Sequence, residues 1–408
     1  MVKCGLLGRK LGHSYSPAIH ASLGDYSYSL WEKEPEELEA FLKDGDFTGL
    51  NVTIPYKKSV IPYLDALSDT AEKLGAVNTV IRREGKTIGH NTDWFGFHAM
   101  VARSGLDVRG KKALVLGSGG ASNTAVAVLA SLGAVPVVIS RTGENHYGNL
   151  ERHRDARILV NATPVGMYPN NGVSPVQLDA FPALEGVLDT IYNPARTRLL
   201  LDAQERGLVT ENGLWMLIAQ AKESAEWFTG QKLPDSCIGD IHRKLKGQTE
   251  NIILIGMPGC GKTTVAGILG QKLGRKVVDS DREIETRAGR TIPEIFAREG
   301  EMGFRARETE VLAALGRESG LVIATGGGCV TREENFPLLR QNGRLFRLQR
   351  DLEKLPTEGR PLSKAGELTA MYNARNPMYQ RFAQHTVSNN GCPEATAEEI
   401  LKILGETE

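Results

Sequence analysis

Residues 251–264, NIILIGMPGCGKTT, have the types and spacing needed to hold phosphate groups. Four apolar residues, 252–255, predict a buried strand; a glycine-rich loop follows, and apolar residues at helical spacing predict a helix after it. Lys262 and Thr263 complete the pattern G-x-x-x-x-G-K-[ST]. In this pattern backbone amides and the helix N-terminus hold phosphates, the lysine reaches the outer ones and the hydroxyl binds Mg²⁺. A plain turn with a surface lysine is the alternative, but all four parts occur in the required order. The sequence therefore predicts a nucleotide-binding domain that begins near Asn251.

Polar side chains in the first hundred residues could form a second site, for a small molecule with several hydroxyls. The alternating stretch 49–54 predicts a half-buried strand that delivers Lys57 into a loop, and Asn78 and Asp93 stand at the ends of later strands. A single lysine or aspartate is usually a solvated charge. A lysine, an aspartate and several amides on successive strand ends form a candidate polyol site with an acid/base pair.

Two serines precede a predicted helix near the N-terminus. Ser14 and Ser16 lie in the segment HSYSP, where Pro17 opens the helix. Hydroxyls beside a helix N-terminus suit a carboxylate. Taken alone, the two serines are better explained as an ordinary helix cap.

Residues 113–133, ALVLGSGGASNTAVAVLASLG, predict a strand, a tight glycine turn and a helix, and the strand VPVVIS follows. A β-α-β unit of this length with glycines at its turn is typical of a dinucleotide-binding fold. At the end of the second strand an NAD enzyme carries an acid for the ribose 2′-hydroxyl, whereas this chain has Ser140 and Arg141. Because an arginine suits a 2′-phosphate, we expect NADP.

Charged residues after the phosphate loop could bind Mg²⁺ and an anionic substrate. Asp279 and Asp281 end a predicted strand with their side chains on the same side, so that one can face Mg²⁺ while the other meets a hydroxyl. A capped helix start is the alternative explanation. Arg305 and Glu308 are one helical turn apart, and the glycines of TGGG, 325–328, allow the backbone to approach a ligand.

Composition excludes several classes of protein. Basic and acidic residues are equal in number, 49 each, and they also balance on either side of Gly247, so we expect no nucleic-acid or membrane surface. Five widely spaced cysteines without a C-x-x-C pair indicate neither a zinc site nor a disulfide framework. No stretch of 18 apolar residues and no signal pattern occurs, from which we expect a cytoplasmic protein.

The first part of the chain resembles shikimate dehydrogenase. The motifs that carry the resemblance are HSYSP, NVTIPYK, GAVNT, NTDWFGF, NATPVGM and LDTIYNP, which cover nearly all of residues 1–240. Ala21 stands where we would expect an asparagine, and GRKLG before the first motif is unusual. The resemblance implies Lys57 and Asp93 as the catalytic pair. It implies substrate contacts from Ser14, Ser16, Thr53, Asn78, Tyr192 and Gln220. It implies NADP contacts from Gly117, Gly119, Gly120, Ala121, Ser140, Arg141, Thr142 and Gly213.

The second part resembles shikimate kinase, from Asn251 to Leu404. The motifs in order are GMPGCGKTT, DSD, FRARE, TGGG, GRPL and RNPMY. The resemblance implies Lys262 and Asp281 as catalytic residues, with Asp281 orienting or deprotonating the substrate hydroxyl. It implies Thr263 and Asp279 at Mg²⁺. ATP contacts are implied for Gly259, Cys260, Gly261, Lys262, Thr263, Thr264 and the lid residue Arg360. Substrate contacts are implied for Arg305, Gly327, Gly328 and Arg375.

These patterns predict an α/β protein of three parts. We expect an α/β substrate domain over 1–104, completed by a helix over 214–240, and a Rossmann-like NADP domain over 105–213. A linker over 241–250 then leads to a P-loop α/β kinase domain of the nucleoside-monophosphate-kinase type over 251–408. The sequence leaves the oligomeric state open.

The predicted function is bifunctional. NADPH reduces 3-dehydroshikimate to shikimate, and ATP with Mg²⁺ then phosphorylates shikimate to shikimate 3-phosphate, so the expected partners are small molecules. The alternatives are a quinate dehydrogenase fused to a different small-molecule kinase, such as a gluconate or nucleotide kinase, or a sensing module that has lost catalysis. Because Lys57, Asp93, Lys262 and Asp281 are all present, the sensing module is disfavoured.

Overall fold

The computed structural model describes residues 2–12, 14–355 and 365–406, and the chain divides into two compact units. Unit 1 consists of Met1–Met167, Val173–Tyr192 and Asp202–His242. Unit 2 consists of Tyr168–Gly172, Asn193–Leu201 and Arg243–Glu408. None of the helices within these ranges combines the length and the apolar character that a membrane span requires.

Unit 1 begins with a mixed six-stranded sheet. Its strands, in the order β2-β1-β3-β5-β6-β4, are β1 Lys3–Gly8, β2 Ser27–Glu32, β3 Gly49–Val52, β4 Ala66–Leu67, β5 Thr79–Arg83 and β6 Lys86–His90. The helices of this part are α1 Ser16–His20, α2 Leu38–Asp44, α3 Asp69–Leu74 and α4 Asp93–Ser104. Strand β3 is buried along its whole length, which differs from the half-buried strand predicted over 49–54. Its edges pair with β1 and β5, and its side chains are covered on both faces, Leu50 by a hydrophobic cluster and Asn51 by Ser224.

The second sheet of unit 1 is parallel and five-stranded. Its strands, in the order β11-β10-β9-β7-β8, are β7 Lys112–Leu116, β8 Val135–Ile139, β9 Ile158–Asn161, β10 Gly186–Asp189 and β11 Val209–Asn212. The helices that follow these strands are α5 Gly120–Ser131, α6 Arg198–Glu205, α7 Gly213–Thr229 and α8 Ser236–Thr249. The order of this doubly wound sheet reverses between β7 and β9, and the glycine turn follows β7. A ligand crevice is expected at such a reversal.

Unit 2 contains a second parallel five-stranded sheet. Its strands, in the order β13-β14-β12-β15-β16, are β12 Asn251–Ile255, β13 Val277–Asp279, β14 Val322–Ala324, β15 Gly343–Gln349 and β16 His385–Ser388. Its helices are α9 Lys262–Leu273, α10 Ser280–Ala288, α11 Ile292–Arg317, α12 Asn335–Arg340, α13 Ala365–Phe382 and α14 Pro393–Glu406. Central strand β12 is fully buried, as predicted from its apolar residues, and the phosphate loop follows it directly.

Short 3₁₀ helices occur in both units. They are Pro35–Glu37, Ile61–Tyr63, Tyr147–His153, Leu178–Ala180, Cys329–Thr331 and Leu352–Lys354. The α/β class predicted from the sequence is therefore what the structure shows.

The segment 214–240, predicted as one helix, is two helices. Helix α7 ends at Thr229 because Gly230 takes a left-handed conformation with φ 72°, which terminates a helix. Helix α8 then includes most of 241–250, the segment predicted as a linker, and the boundary between the two units falls within this helix, between His242 and Arg243. Ile238, Ile241 and Leu245 recur at helical spacing and are each 4% exposed, and their burial stabilises a helix where composition alone indicated a polar connection.

Unit 2 also includes two short segments from earlier in the chain, and one of them makes a buried ion cluster. Arg196 donates from Nη2 to Oε1 of Glu250 at 2.9 Å, and Arg344 donates from Nε to Oε2 of the same carboxylate at 2.9 Å. Glu250 is 8% and Arg344 4% exposed. The backbone of Arg196 is held as well, because its N–H donates to the carbonyl oxygen of Gln341 at 2.8 Å. The cluster lies at the start of strands β12 and β15, whereas the phosphate loop follows the other end of β12.

Candidate active sites

Lys57 and Asp93 form a close ion pair in unit 1. Lys57 lies in the loop after β3 and Asp93 opens α4, and Nζ is 2.5 Å from Oδ2. The two side chains are 26% and 11% exposed. An ammonium group beside a carboxylate, with limited access to water, can give a proton to an oxygen that gains negative charge.

Amide groups surround this pair. Asn78 donates from Nδ2 to Oδ1 of Asp93 at 2.9 Å, and its Oδ1 accepts from the backbone N–H of Thr92 at 2.7 Å. Gln220, on α7, has its Oε1 3.4 Å from Asn78 Nδ2 and 3.3 Å from Thr92 Oγ1. Helices α4 and α7 can approach this closely because Gly96 has no side chain: a Cβ there would lie 2.6 Å from the carbonyl oxygen of Met216. The structure thus brings the predicted acid/base pair and two predicted amides together.

The predicted carboxylate-binding residues lie around the start of α1. Ser14 Oγ accepts a hydrogen bond of 3.2 Å from the backbone N–H of Ser16, a local turn contact, whereas the N-cap position of α1 is occupied by Tyr15. The ring of Tyr192 lies 5.4 Å from that of Tyr15, which places Tyr192 beside this segment. Thr53 lies beside the end of β1, because its backbone N–H donates to the carbonyl oxygen of Leu7 at 2.9 Å.

The glycine turn after β7 has the open backbone that a diphosphate requires. Gly117 has φ 109°, and a Cβ there would lie 3.1 Å from the carbonyl oxygen of Ala162. A Cβ at Gly119 or Gly120 would meet nothing within 4 Å, so the start of α5 is uncovered. Ala121 stands in the first turn of that helix. This arrangement fits a dinucleotide phosphate at a helix N-terminus.

The three residues after β8 present polar groups to solvent. Ser140 donates from Oγ to the carbonyl oxygen of Thr142, which folds the chain into a tight turn. Arg141 and Thr142 are exposed, so the guanidinium can reach a ligand without breaking a buried contact. Gly213 starts α7, where a side chain would clash with the carbonyl oxygen of Thr190. The glycine is thus explained by close backbone packing whether or not it contacts the cofactor.

The phosphate loop of unit 2 holds Lys262 in a ready position. Nζ donates to the carbonyl oxygens of Gly256 at 2.9 Å and Met257 at 3.0 Å, so the ammonium group is held beneath the loop. Cys260 is fully buried in the loop and its carbonyl oxygen accepts from Asn389 at 2.6 Å. Gly261 has φ 95°, and a side chain there would clash with the amide of Asn389. Gly259, which has φ 83°, needs the same left-handed conformation.

Thr263 and Asp279 form a pair that fits Mg²⁺. Thr263 donates from Oγ1 to Oδ2 of Asp279 at 2.8 Å, and the other carboxylate oxygen caps α10 by accepting from the N–H of Asp281 at 3.0 Å. A hydroxyl and a carboxylate are the oxygen ligands that Mg²⁺ prefers beside a nucleotide. Asp279 is therefore both a candidate metal residue and the helix cap that was weighed as its alternative. Thr264 is exposed in the first turn of α9.

Asp281 and Glu308 carry buried oxygens that lack a partner within the described residues. These are Oδ1 of Asp281 and Oε1 of Glu308. A Cβ at Gly326 would lie 2.5 Å from the first and 2.9 Å from the second, so both oxygens point at the same glycine. Burial, with the charges of Asp279 and Glu308, raises the pKa of Asp281 to about 6 against the opposing charges of Lys262 and Arg305. A carboxylate with this pKa can accept a proton near neutral pH.

Arginines and glycines complete this part of unit 2. Arg305 donates to Oε2 of Glu308 at 2.7 Å, and Arg375 donates to the carbonyl oxygen of Gly327 at 3.3 Å. A side chain at Gly328 would clash with the guanidinium of Arg305, and one at Gly327 would meet Pro258 at 2.7 Å. The structure thus groups the predicted substrate residues of this unit. Arg360 lies outside the described residues.

Sequence reasoning missed several residues that these contacts involve. Glu308 was noted only for its spacing from Arg305, and that spacing was the available signal. Tyr379, whose hydroxyl donates to the carbonyl oxygen of Gly327 at 2.5 Å, is the last residue of the RNPMY motif, and that motif was the available signal. Ser224 also went unpredicted: its hydroxyl accepts from Asn51 and lies 3.0 Å from that of Thr92. These contacts join side chains that are distant in sequence, so no local pattern indicates them.

Two family models match the chain. The model for the shikimate dehydrogenase substrate binding domain matches residues 6–80, and the model for shikimate kinase matches residues 258–405. The shikimate dehydrogenase (NADP(+)) of Clostridium perfringens (strain SM101 / Type A) is 37% identical over 264 residues, which cover 59% of this chain and 97% of that protein.

Solved structures show the same similarity. Shikimate dehydrogenase 1 from Peptoclostridium difficile matches with a TM-score of 0.57 and 36% identity, over 60% of this chain and 98% of that one. Shikimate 5-dehydrogenase from Thermus thermophilus, solved in complex with NADP(H) and shikimate, matches with a TM-score of 0.54 and 33% identity, over 60% of this chain and 99% of that one.

Both resemblances seen in the motifs are confirmed by these matches, as are the fold class and the expected use of NADP, ATP and Mg²⁺. The chain belongs to the shikimate dehydrogenase family over 59% of its length and continues into a shikimate kinase region, and it is therefore a bifunctional enzyme of the shikimate pathway.

Proposed function

We propose that unit 1 reduces 3-dehydroshikimate to shikimate with NADPH, and that unit 2 transfers the terminal phosphoryl group of ATP to the 3-hydroxyl of shikimate. The observation that carries the proposal is the 2.5 Å contact between Lys57 Nζ and Asp93 Oδ2 beside the amides of Asn78 and Gln220. Acid/base chemistry on a polyol requires such a set.

In the reduction, Lys57 supplies the proton. NADPH, when bound, provides the hydride that reaches the carbonyl carbon. As the C=O π bond breaks, the oxygen takes the proton from Nζ, and Asp93 keeps the resulting amine close for reprotonation by solvent. Asn78 and Gln220 hold ring hydroxyls, and Ser14, Ser16 and Tyr192 hold the carboxylate end. Thr53 completes the substrate contacts.

For the cofactor, the turn after β7 would hold the diphosphate and Arg141 the 2′-phosphate. Gly117, Gly119, Gly120 and Ala121 leave the start of α5 open. Ser140, Thr142 and Gly213 complete the proposed NADP contacts. An exposed arginine and the absence of an acid at the end of β8 favour NADP over NAD.

In the phosphorylation, Asp281 would accept the proton of the substrate hydroxyl. The hydroxyl oxygen forms a bond to the terminal phosphorus while the bridging bond to ADP breaks. Lys262 and the amides of Gly259–Gly261 would neutralise and position the phosphates, and Thr263 and Asp279 would hold Mg²⁺, which would supply further charge neutralisation. Thr264 contributes from the start of α9. Arg305, Arg375, Gly327 and Gly328 would hold shikimate, and Arg360 stays a prediction from sequence.

We further propose the domain bounds 1–104, 105–213 and 251–408, with α8 in place of the linker. Cytoplasmic location is an expectation that the cysteines support, since all five are free thiols. Small molecules remain the expected partners.

The experiment follows NADPH absorbance and shikimate 3-phosphate mass in one mixture of full chain, 3-dehydroshikimate, NADPH, ATP and Mg²⁺. We expect NADPH to disappear and the phosphorylated product to accumulate. Consumption that stops at shikimate would contradict the kinase assignment, and no consumption would contradict the dehydrogenase assignment. Faster oxidation of quinate with NAD⁺ than of shikimate with NADP⁺ would replace the first substrate.

A further inference from the structure

We propose that Ser224 is a positioning residue of the dehydrogenase site, which fixes the amides of Asn78 and Gln220 for recognition of the substrate's ring hydroxyls. The inference rests on the proposed dehydrogenase function. Ser224 itself lies too deep to touch a ligand, because its side chain is 0% exposed.

The hydroxyl of Ser224 has four polar neighbours. It lies on α7, one turn after Gln220, and donates to the carbonyl oxygen of that residue at 2.9 Å. Asn51 donates from Nδ2 to Ser224 Oγ at 2.8 Å. The hydroxyl oxygens of Thr79 and Thr92 lie 2.9 and 3.0 Å from the same atom. Ser224 therefore joins one helix to residues from β3, β5 and the segment before α4.

These neighbours exceed what one hydroxyl can satisfy. A serine hydroxyl donates once and accepts twice, so after Gln220 and Asn51 are served, one acceptor position remains for Thr79 and Thr92. The threonine that does not donate to Ser224 can turn to Asn78 Oδ1, which lies 3.1 Å from Thr79 Oγ1 and 3.2 Å from Thr92 Oγ1.

The result is a fixed orientation for the Asn78 amide. Its oxygen accepts from the backbone N–H of Thr92 at 2.7 Å and lies 3.1 Å from the Thr79 hydroxyl, so its NH₂ group faces Oδ1 of Asp93 at 2.9 Å and the Thr92 hydroxyl at 3.0 Å. Gln220 is held by the same set, since its Oε1 lies 3.3 Å from Thr92 Oγ1. A buried polar group destabilises the fold unless it is hydrogen-bonded. Here the hydrogen bonds that satisfy Ser224 continue through the threonines to Asn78 and Gln220, the two amides nearest Asp93.

Removal of the hydroxyl should loosen this set. In Ser224→Ala, the contacts left to Asn51 Nδ2 are the longer ones, 3.3 Å to Thr79 Oγ1 and 3.4 Å to the carbonyl oxygen of Asn78. We expect KM for shikimate to rise about tenfold, the size of one or two lost hydrogen bonds, with KM for NADP⁺ unchanged.

The test is a pair of double-mutant cycles in the full chain, measured as shikimate oxidation with NADP⁺. Thr92→Val removes, at nearly constant volume, the hydroxyl that links Ser224 to the side-chain amide of Gln220. We expect KM for shikimate in the double variant Ser224→Ala/Thr92→Val to be less than twofold above that of Thr92→Val alone. In Ser224→Ala/Ser16→Ala, the increases in KM of the two single variants should multiply, because Ser16 lies at the other end of the substrate. If the increases in KM multiply in both double variants, Ser224 does not act through Thr92 and has only a structural role, which would overturn the proposal.

Two controls separate the possible failures. Shikimate oxidation by the unaltered chain tests the dehydrogenase function itself, so its absence contradicts that function and not the role of Ser224 alone. Binding of NADP⁺ by each variant, followed by cofactor fluorescence, reports whether unit 1 is folded. If Ser224→Ala fails this control, Ser224→Cys replaces it, because a thiol keeps the size and makes only weak hydrogen bonds. The same rise in KM is expected, and an unchanged KM would count against the proposal.

Discussion

Lys57 Nζ and Asp93 Oδ2 lie 2.5 Å apart although 36 residues separate them in the chain. One follows strand β3 and the other opens helix α4, so the fold of the mixed sheet, not local sequence, creates the pair. Among the described contacts of the site, none to the Asp93 side chain is shorter; Asn78 Nδ2 lies 2.9 Å from Oδ1.

Replacing Lys57 by Ala should abolish reduction of 3-dehydroshikimate. Loss of a general acid lowers the rate by about 10²- to 10⁴-fold, and phosphorylation of added shikimate by the same chain should stay within twofold. Stopped-time assays of both activities make the comparison. Lys58→Ala is the matched control, since Lys58 is an exposed neighbour, and it should keep both rates. Equal loss of both activities in Lys57→Ala would refute two separate sites.

Replacing Asp279 by Asn should weaken the Mg²⁺ dependence of phosphorylation. The amide oxygen carries no charge and its NH₂ group cannot accept from Thr263, so the Mg²⁺ concentration for half-maximal rate should rise about 10- to 100-fold. A titration of shikimate phosphorylation with Mg²⁺ measures this. Thr286, an exposed threonine of α10, gives a control variant, Thr286→Ala, that should leave the titration in place. Unaltered Mg²⁺ dependence in Asp279→Asn would remove Asp279 from the metal site.

Replacing Arg141 by Ala should reduce the preference for NADP. A hydrogen bond to a charged group contributes about 1.5–3 kcal/mol, so KM for NADPH should rise about 10- to 100-fold while KM for NADH changes little. Initial rates with each cofactor provide the ratio. Arg154→Ala, at another exposed arginine of unit 1, should keep the ratio of the unaltered chain. If both KM values rise together in Arg141→Ala, the arginine does not read the 2′-phosphate.

Burial of His20 should make unit 1 less stable in mild acid. Burial lowers the pKa of His20 from 6.5 to about 3. Below pH 6.5 the unfolded chain binds a proton at this histidine and the folded chain does not, so the free energy of unfolding falls as pH falls. The contribution is about 2 kcal/mol between pH 6.5 and pH 5.

The urea midpoint for loss of dehydrogenase activity, measured at both pH values, tests this expectation. His20→Asn should shrink the difference between the two midpoints, whatever its effect at pH 7. A variant that keeps the full difference would show that other groups cause the acid sensitivity.

Replacing Glu250 by Ala should destabilise unit 2. Burial alone would raise the pKa of Glu250, but Arg196 and Arg344 outweigh it, and the net pKa is lowered. Without the Glu250 carboxylate, the partly or fully buried guanidinium groups of Arg196 and Arg344 lose their neutralising partner, which should lower the free energy of unfolding by about 3–5 kcal/mol. The urea midpoint for loss of kinase activity should fall accordingly. Glu318→Ala, at an exposed glutamate of the same unit, should shift this midpoint little, and an equal shift would contradict the argument.

The parts of the fold that follow local patterns were predictable from sequence. The apolar run before Lys262, the glycines around Gly117 and the motif order identify two α/β enzymes. The bounds of α8 were not predicted because its three buried residues, Ile238, Ile241 and Leu245, are diluted by charged neighbours. The network around Ser224 was equally hidden, because periodicity shows that a residue is buried and not which distant hydroxyls it meets.

Membership of Asn193–Leu201 in unit 2 has no signal in the sequence, since the segment begins within the dehydrogenase motif LDTIYNP. The roles given to the predicted site residues remain predictions. The structure supplies distances between them, and the variants above address what each does.

The buried cluster of Arg196, Glu250 and Arg344 also bears on attempts to divide the gene. A polypeptide that starts at Asn251, where the kinase motif begins, contains Arg344 but neither Glu250 nor Arg196. Its 4%-exposed guanidinium would then lie in the protein without the carboxylate that neutralises it. Codons inside the reductase half encode Arg196, which pairs with Glu250, so we expect a phosphotransferase expressed without them to be less stable.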